Sequence, residues 1–169
     1  MPTPPRFYKP GQYPTEQSVG YLLNKVLSSI LSQADSRLAA YKLTYAQWVP
    51  LFKLSKENGC TPIAMARDLS TDPAALSRSL NRLEAKGLIR RERSTLDRRV
   101  VHLWLTDEGH AVAQPVPGVL ADVLNAHSTG FSHNEWQLLL QLLSRMLANG
   151  EALKASAHSG TPTCPPRTP

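Results

Sequence analysis

Apolar positions recur at helical spacing along most of the chain and alternate at strand spacing in one short region. Leu22, Leu23, Val26, Leu27, Ile30, Leu31, Ala34 and Leu38 form a wide apolar face, which predicts a long helix beginning near Glu16 or Ser18. Thr44-Tyr45-Ala46-Gln47 fits a capping box and opens a second helix that buries Trp48, Leu51, Phe52 and Leu54. Pro50 lies beyond the first turn of that helix, so a bend or an irregular start is expected there. Asn58-Gly59 ends it. A short helix over about Pro62 to Leu69 comes next, with Pro62 at a favourable first position. In the turn Ser70-Thr71-Asp72-Pro73, Asp72 is the N-cap and Pro73 starts a fourth helix that runs to Lys86 and stops at Gly87.

Leu88 to Arg93 and Val100 to Leu105 read as the two strands of a hairpin, with Val101, Leu103 and Leu105 on one side and Val100, His102 and Trp104 on the other. The polar loop Ser94 to Arg99 joins them. Thr106-Asp107-Glu108 opens a further helix, expected to continue through a kink at Pro115 and Pro117 towards Leu124. A second capping box, Ser132-His133-Asn134-Glu135, starts a last helix to about Asn149. The expected order is four helices, two strands and two helices.

A chain of 169 residues with 41% apolar positions can bury a real core. The fold class that follows is mainly α with a small β-hairpin wing: a winged helix-turn-helix over 44–105, flanked by terminal dimerisation helices at 16–43 and 106–149. Residues 1–15, rich in proline, read as an extended arm, and the Pro, Ser, Thr and Gly-rich 150–169 as a disordered tail. Cys60 and Cys164 form no CxxC pair, which argues against a disulfide framework or a cysteine-rich zinc site. Neither a signal-peptide pattern nor an apolar run near the roughly 18 residues of a membrane span is present, so a cytoplasmic protein is expected.

The formal charge of +6 favours an acidic partner, and its distribution narrows the choice. Nine bases against five acids lie within residues 67–99, leaving +4 there, and all of those bases except Lys86 are Arg. Arginine offers a rigid fork suited to phosphates and guanine edges. On the helix from Pro73 to Lys86, Leu76, Leu80 and Leu83 must face the core. Ala74, Arg78, Asn81 and Ala85 lie opposite, flanked by Ser77 and Arg82. Ala74 and Ala75 keep the start of this stripe narrow enough to enter a major groove. Arg78 can then pair with guanine and Asn81 with adenine, each worth ~1–3 kcal/mol of discrimination. Arg98 and Arg99 end the hairpin loop, where an arginine can enter a minor groove, and Asp97 is expected to orient a neighbouring guanidinium.

The run Leu76-Ser77-Arg78-Ser79-Leu80-Asn81-Arg82-Leu83-Glu84-Ala85-Lys86-Gly87-Leu88-Ile89, followed by Asp97-Arg98-Arg99 and Leu105-Thr106-Asp107-Glu108-Gly109, resembles the multiple-antibiotic-resistance regulator (MarR) family over roughly residues 17–149. That resemblance implies homodimers on pseudo-palindromic operators, usually repressors released by small phenolic or aromatic acids. It also implies that Ala74, Ala75, Ser77 and Arg78 face bases, that Asn81 and Arg82 contact bases or phosphates, and that Arg98 is the minor-groove residue. Asp97 matches the wing aspartate of the family. Redox-sensing members carry a cysteine near the start of the first long helix, and this chain has none there.

Independently of the resemblance, the first helix and the near-uniformly apolar last one (Trp136, Leu138, Leu139, Leu140, Leu142, Leu143, Met146, Leu147) expose more apolar surface than a monomer can cover, which predicts a twofold dimer. Tyr41, Tyr45, Trp48 and His110 are candidates to line an effector cavity, with Arg37 meeting a carboxylate. No catalytic arrangement stands out, so the chain is read as a regulator and not an enzyme, needing no cofactor or metal. The alternatives are a metal- or redox-responsive winged-helix regulator and a winged-helix protein-interaction module.

Overall fold

The computed structural model describes residues 6–9, 11 and 13–158. Its elements are α1 (Val19–Leu38), α2 (Tyr45–Lys56), α3 (Pro62–Asp68), α4 (Pro73–Ala85), β1 (Ile89–Arg93), β2 (Val101–Leu105), α5 (Asp107–Ala113), α6 (Val116–His127) and α7 (His133–His158), with 3-10 turns at Thr15–Gln17 and Ala39–Tyr41. The chain divides into two units, one ending at His127 and one beginning at Ser128. No helix among the described residues is long and apolar enough to cross a membrane.

In the first unit the core lies between α2, α4, α5 and the hairpin. Leu38, Leu51, Leu54, Met65, Leu80, Leu83, Leu103 and Val116 are fully buried there. Caps set the helix starts. Thr44 and Gln47 close the capping box of α2, Thr61 accepts from the Ala64 amide, and Asp72 accepts from the Ala75 amide at 2.8 Å. Gly87, with φ +70°, takes the left-handed turn that ends α4 and starts the hairpin.

The hairpin is antiparallel, pairing Ile89 with Leu105 and Arg93 with Val101. A third segment joins it. The Gly59 amide donates to Leu103 O at 2.9 Å, the Leu103 amide to Cys60 O at 3.0 Å, and Asn58 Oδ1 accepts from Leu105 N. On its other side the hairpin meets α5. Thr106 donates to Gly87 O, and Gly109 packs so close that a Cβ there would collide with the Leu88 carbonyl.

Two expectations need correction. Pro115 and Pro117 do not kink one helix; α5 stops at Ala113 and a new helix starts at Val116. A proline in the first turn of a helix gives up no intrahelical bond, so the pair suits a fresh start better than a bent continuation. The helix expected to end at Asn149 runs on to His158, taking in the first part of the predicted tail. Gly150 costs about 1 kcal/mol, and the good helix formers Glu151, Ala152, Leu153, Lys154 and Ala155 outweigh it. The helix α2 runs across Pro50 from Tyr45 to Lys56, and Pro50 supplies no amide to the carbonyl of Ala46. Residues 159–169, with Cys164, lie outside the described residues, as do 1–5, 10 and 12 of the N-terminal arm. In the described part of that arm the Tyr8 hydroxyl accepts from the Val19 amide, satisfying a free donor at the start of α1.

Half of the apolar face of α1 is covered. Ala34 and Leu38 are buried, whereas Leu22, Leu23, Val26 and Leu27 are exposed. In the second unit α7 exposes Leu138, Leu140, Leu142, Met146, Leu147 and Leu153.

Candidate nucleic-acid interface

The α4 helix shows the two faces its sequence predicts. Leu76, Leu80 and Leu83 are buried, while Ala74, Ser77, Arg78, Asn81 and Arg82 are exposed and Ala75 is half-buried. Two anchors fix this helix. At its middle the buried Ser79 hydroxyl donates to Ala46 O on α2 at 2.5 Å. At its end Lys86 Nζ donates to Lys42 O at 2.6 Å and to the buried Gln47 Oε1 at 2.7 Å. Burial, and then the Arg82 charge, hold the Lys86 ammonium below its ordinary range. Lys42 has a left-handed backbone, so the end of α4 is tied to the tight corner between α1 and α2.

The wing is braced against the same helix. Arg91 on β1 reaches α4 with both ends of its guanidinium, Nη1 donating to Glu84 Oε2 at 2.8 Å and Nη2 to Asn81 Oδ1 at 2.7 Å. Sequence reasoning missed Arg91, although a signal was present: strand alternation puts it on the same side as buried Ile89, facing the helix. It missed Ser79 and Lys86 as well, whose partners lie distant in sequence.

At the wing tip Ser94 Oγ accepts from the amides of Leu96 and Asp97, and Asp97 Oδ1 accepts from the Arg99 amide at 2.9 Å. Asp97 therefore shapes the backbone turn, where the sequence suggested it would orient a guanidinium. Its short side chain caps a nearby amide, as aspartates in turns commonly do. Leu96, Arg98 and Arg99 are exposed at this tip.

The five residues expected around an effector do not share one cavity. Tyr45 and Trp48, with ring centroids 6.0 Å apart, line a space of about 350 Å³ with Ile30, Pro117 and Leu120. Arg37 borders a different one of about 270 Å³ beside His127, and His110 a third with Phe52 and Lys56. Tyr41 packs on the core. The separation has a simple cause: Arg37 and Tyr41 lie on either side of the corner that ends α1, whereas His110 belongs to α5. Trp48 Nε1, like Trp104 Nε1, is buried with no hydrogen-bond partner among the described residues.

Among the described residues no three His, Cys, Asp or Glu side chains converge in a way that could hold a metal ion. Burial pushes the half-buried Cys60 thiol up from its ordinary range, away from the reactive thiolate.

A short helix, a tight turn, an outward-faced second helix and a two-stranded wing define a winged helix-turn-helix protein. Residues 43–101 match the sequence profile of the MarR family. Among solved structures, a MarR-family transcriptional regulator from Silicibacter pomeroyi is 28% identical, with a TM-score of 0.65 over 80% of this chain and 91% of that one. BpsR of Bordetella bronchiseptica, whose DNA binding is regulated by 6-hydroxynicotinic acid, is 25% identical, with a TM-score of 0.74 over 80% and 97%. A cysteine-to-serine mutant of MarR from E. coli, complexed with operator DNA, is 27% identical, with a TM-score of 0.71 over 76% and 93%. Residues 43–101 of this chain thus resemble the MarR family, and its fold is shared with solved winged-helix transcriptional regulators of that family.

Proposed function

We propose that the chain is a sequence-specific repressor that binds a pseudo-palindromic operator as a homodimer and is released by a small aromatic acid. The observation that carries the reading is the outward stripe of α4. Ala74, Ala75, Ser77 and Arg78 lead it and Asn81 and Arg82 follow, on a helix anchored at its middle and its C-terminal end and braced by the wing. Its alanines clear the base edges, Arg78 reads a base, Arg82 meets a base or phosphate, and Arg98 and Arg99 follow the adjacent backbone into the minor groove. The DNA complex of the related E. coli protein supports this. The exposed leucines and valines of α1 and the apolar side chains of α7 supply the dimer contact, and a twofold sets two α4 helices about 34 Å apart.

The effector site is the cavity beside Tyr45 and Trp48. It is mostly apolar, lined by aromatic and aliphatic side chains, and of a size to take one ring. Regulation of BpsR by an aromatic acid supports this class of ligand. Such a ligand works only through a higher affinity for the conformation that misfits the operator.

Selection from randomised duplexes tests the core of the reading. Enrichment of an inverted repeat is expected, and enrichment of nothing would overturn it. Sedimentation tests the dimer, where a DNA-competent monomer would be contrary. Titrating hydroxylated aromatic acids into the selected complex tests release; complexes unmoved at millimolar acid would exclude the effector class.

A further inference from the structure

We propose that Arg91 is a positioning residue that sets the base preference of Asn81 by fixing which end of its amide faces the groove. The proposal rests on the reading of α4 as the groove-binding helix. A guanidinium has donors and no acceptor, so whatever sits against it must accept. Nη2 of Arg91 lies 2.7 Å from the side-chain amide of Asn81, so the atom it meets there is the carbonyl oxygen. The flipped amide would set two donors face to face. Glu84, one turn along the same helix, takes the other arm of the fork at 2.8 Å, and the guanidinium therefore cannot swing away to release Asn81.

Asn81 is exposed, and its Nδ2 has no hydrogen-bond partner among the described residues. Its outward chemistry is thus a donor pair. Bidentate pairing with adenine needs the carbonyl and the amine together, one accepting from N6 and the other donating to N7. Arg91 takes one of the two lone pairs of the carbonyl and stands on that side of the amide, so the amine is the end with its full capacity open to acceptors. Guanine, with O6 and N7, offers two; cytosine offers none in the major groove. Asn81 in this chain therefore reads guanine where an unrestrained asparagine reads adenine.

Selection on randomised duplexes with the full-length wild type, Asn81→Ala and Arg91→Met, each checked for cooperative thermal unfolding, tests the idea. The wild type is expected to enrich guanine at one position per half-site, with that enrichment lost in Asn81→Ala. Arg91→Met is expected to shift the same position to adenine by roughly tenfold in relative affinity, leaving the other positions alone. Adenine already favoured there by the wild type would overturn the proposal. So would a uniform loss on all sequences in Arg91→Met together with a shallower salt dependence, because Arg91 would then be a phosphate contact. If Arg91→Met does not fold, Arg91→Lys, which keeps the charge without the two-armed fork, is expected to make the same shift; an unchanged guanine preference would be the contrary result. Failure of the DNA reading itself looks different, since the wild type would then enrich no position at all.

Discussion

The Ser79 hydroxyl donates to the carbonyl of Ala46, the one that Pro50 deprives of its helical partner four residues on. Proline inside α2 would otherwise leave a carbonyl unsatisfied at a packed helix contact, which costs about 1–3 kcal/mol. The α4 helix therefore repairs a defect in its neighbour, and in doing so is fixed to it. Ser79→Ala is expected to destabilise by roughly that amount. In a Pro50→Ala background the restored amide at position 50 takes over the carbonyl, so the cost of Ser79→Ala should shrink to a few tenths of a kcal/mol. Denaturant unfolding of the four proteins in this cycle measures the coupling, and equal costs in both backgrounds would show that Ser79 does not serve the Pro50 gap.

Gly109 and Gly118 should respond oppositely to alanine. A Cβ at Gly109 collides with the Leu88 carbonyl and crowds Leu105, where backbone and hairpin must both move. Gly109→Ala is expected to cost about 1–3 kcal/mol or more. Gly118, inside α6, has nothing near its missing Cβ, so Gly118→Ala is expected to stabilise by roughly 0.5–1 kcal/mol. Thermal unfolding of the two variants decides the matter by its sign.

Arg78 and Arg98 should fail in different ways. Arg78→Ala is expected to relax preference at one half-site position and to cost ~1–3 kcal/mol on the selected operator, with little change on random duplexes. Arg98→Ala should weaken binding on all duplexes and flatten the dependence on salt. Affinities across a salt series on both DNAs separate the two; a uniform loss for Arg78→Ala would make it a backbone contact.

The start of α7 should be acid-sensitive. Glu135 accepts from the Ser132 hydroxyl at 2.7 Å and the Ser132 amide at 2.8 Å, and these bonds hold its carboxyl below the ordinary glutamate range. With a folded value below the unfolded one, the contribution to stability is complete above the unfolded glutamate range. It disappears as pH falls through the lower folded value. Amide exchange in the first turn of α7 should accordingly rise in acid, as the pH falls through that lowered range. Glu135→Gln, which keeps an acceptor without the charge, should show no such rise.

The parts of the fold legible in the sequence are those written in local chemistry. Asp72 with Pro73, Gly87, and Thr44 with Gln47 are punctuation whose meaning depends on a few neighbours, and each starts or stops its helix where the sequence placed it. Pro115 and Pro117 were harder, because proline both breaks a helix and begins one, and only packing of Val116 into the core decides between them. The two-faced character of α4 was visible in its leucine spacing. What its exposed residues are bound to was not, since Arg91, Lys42 and Ala46 reach it from elsewhere in the chain. The effector residues were grouped by aromatic type, and the corner after α1 scatters them.

The short Asn58–Cys60 segment against β2 bears on how this protein behaves when crowded. By occupying the backbone groups of Leu103 and the amide of Leu105, it closes one rim of the hairpin to any incoming strand. The opposite rim is β1, whose sequence Arg90-Arg91-Glu92-Arg93 places charges along the approach. Two such molecules meeting edge to edge therefore gain little from pairing their wings.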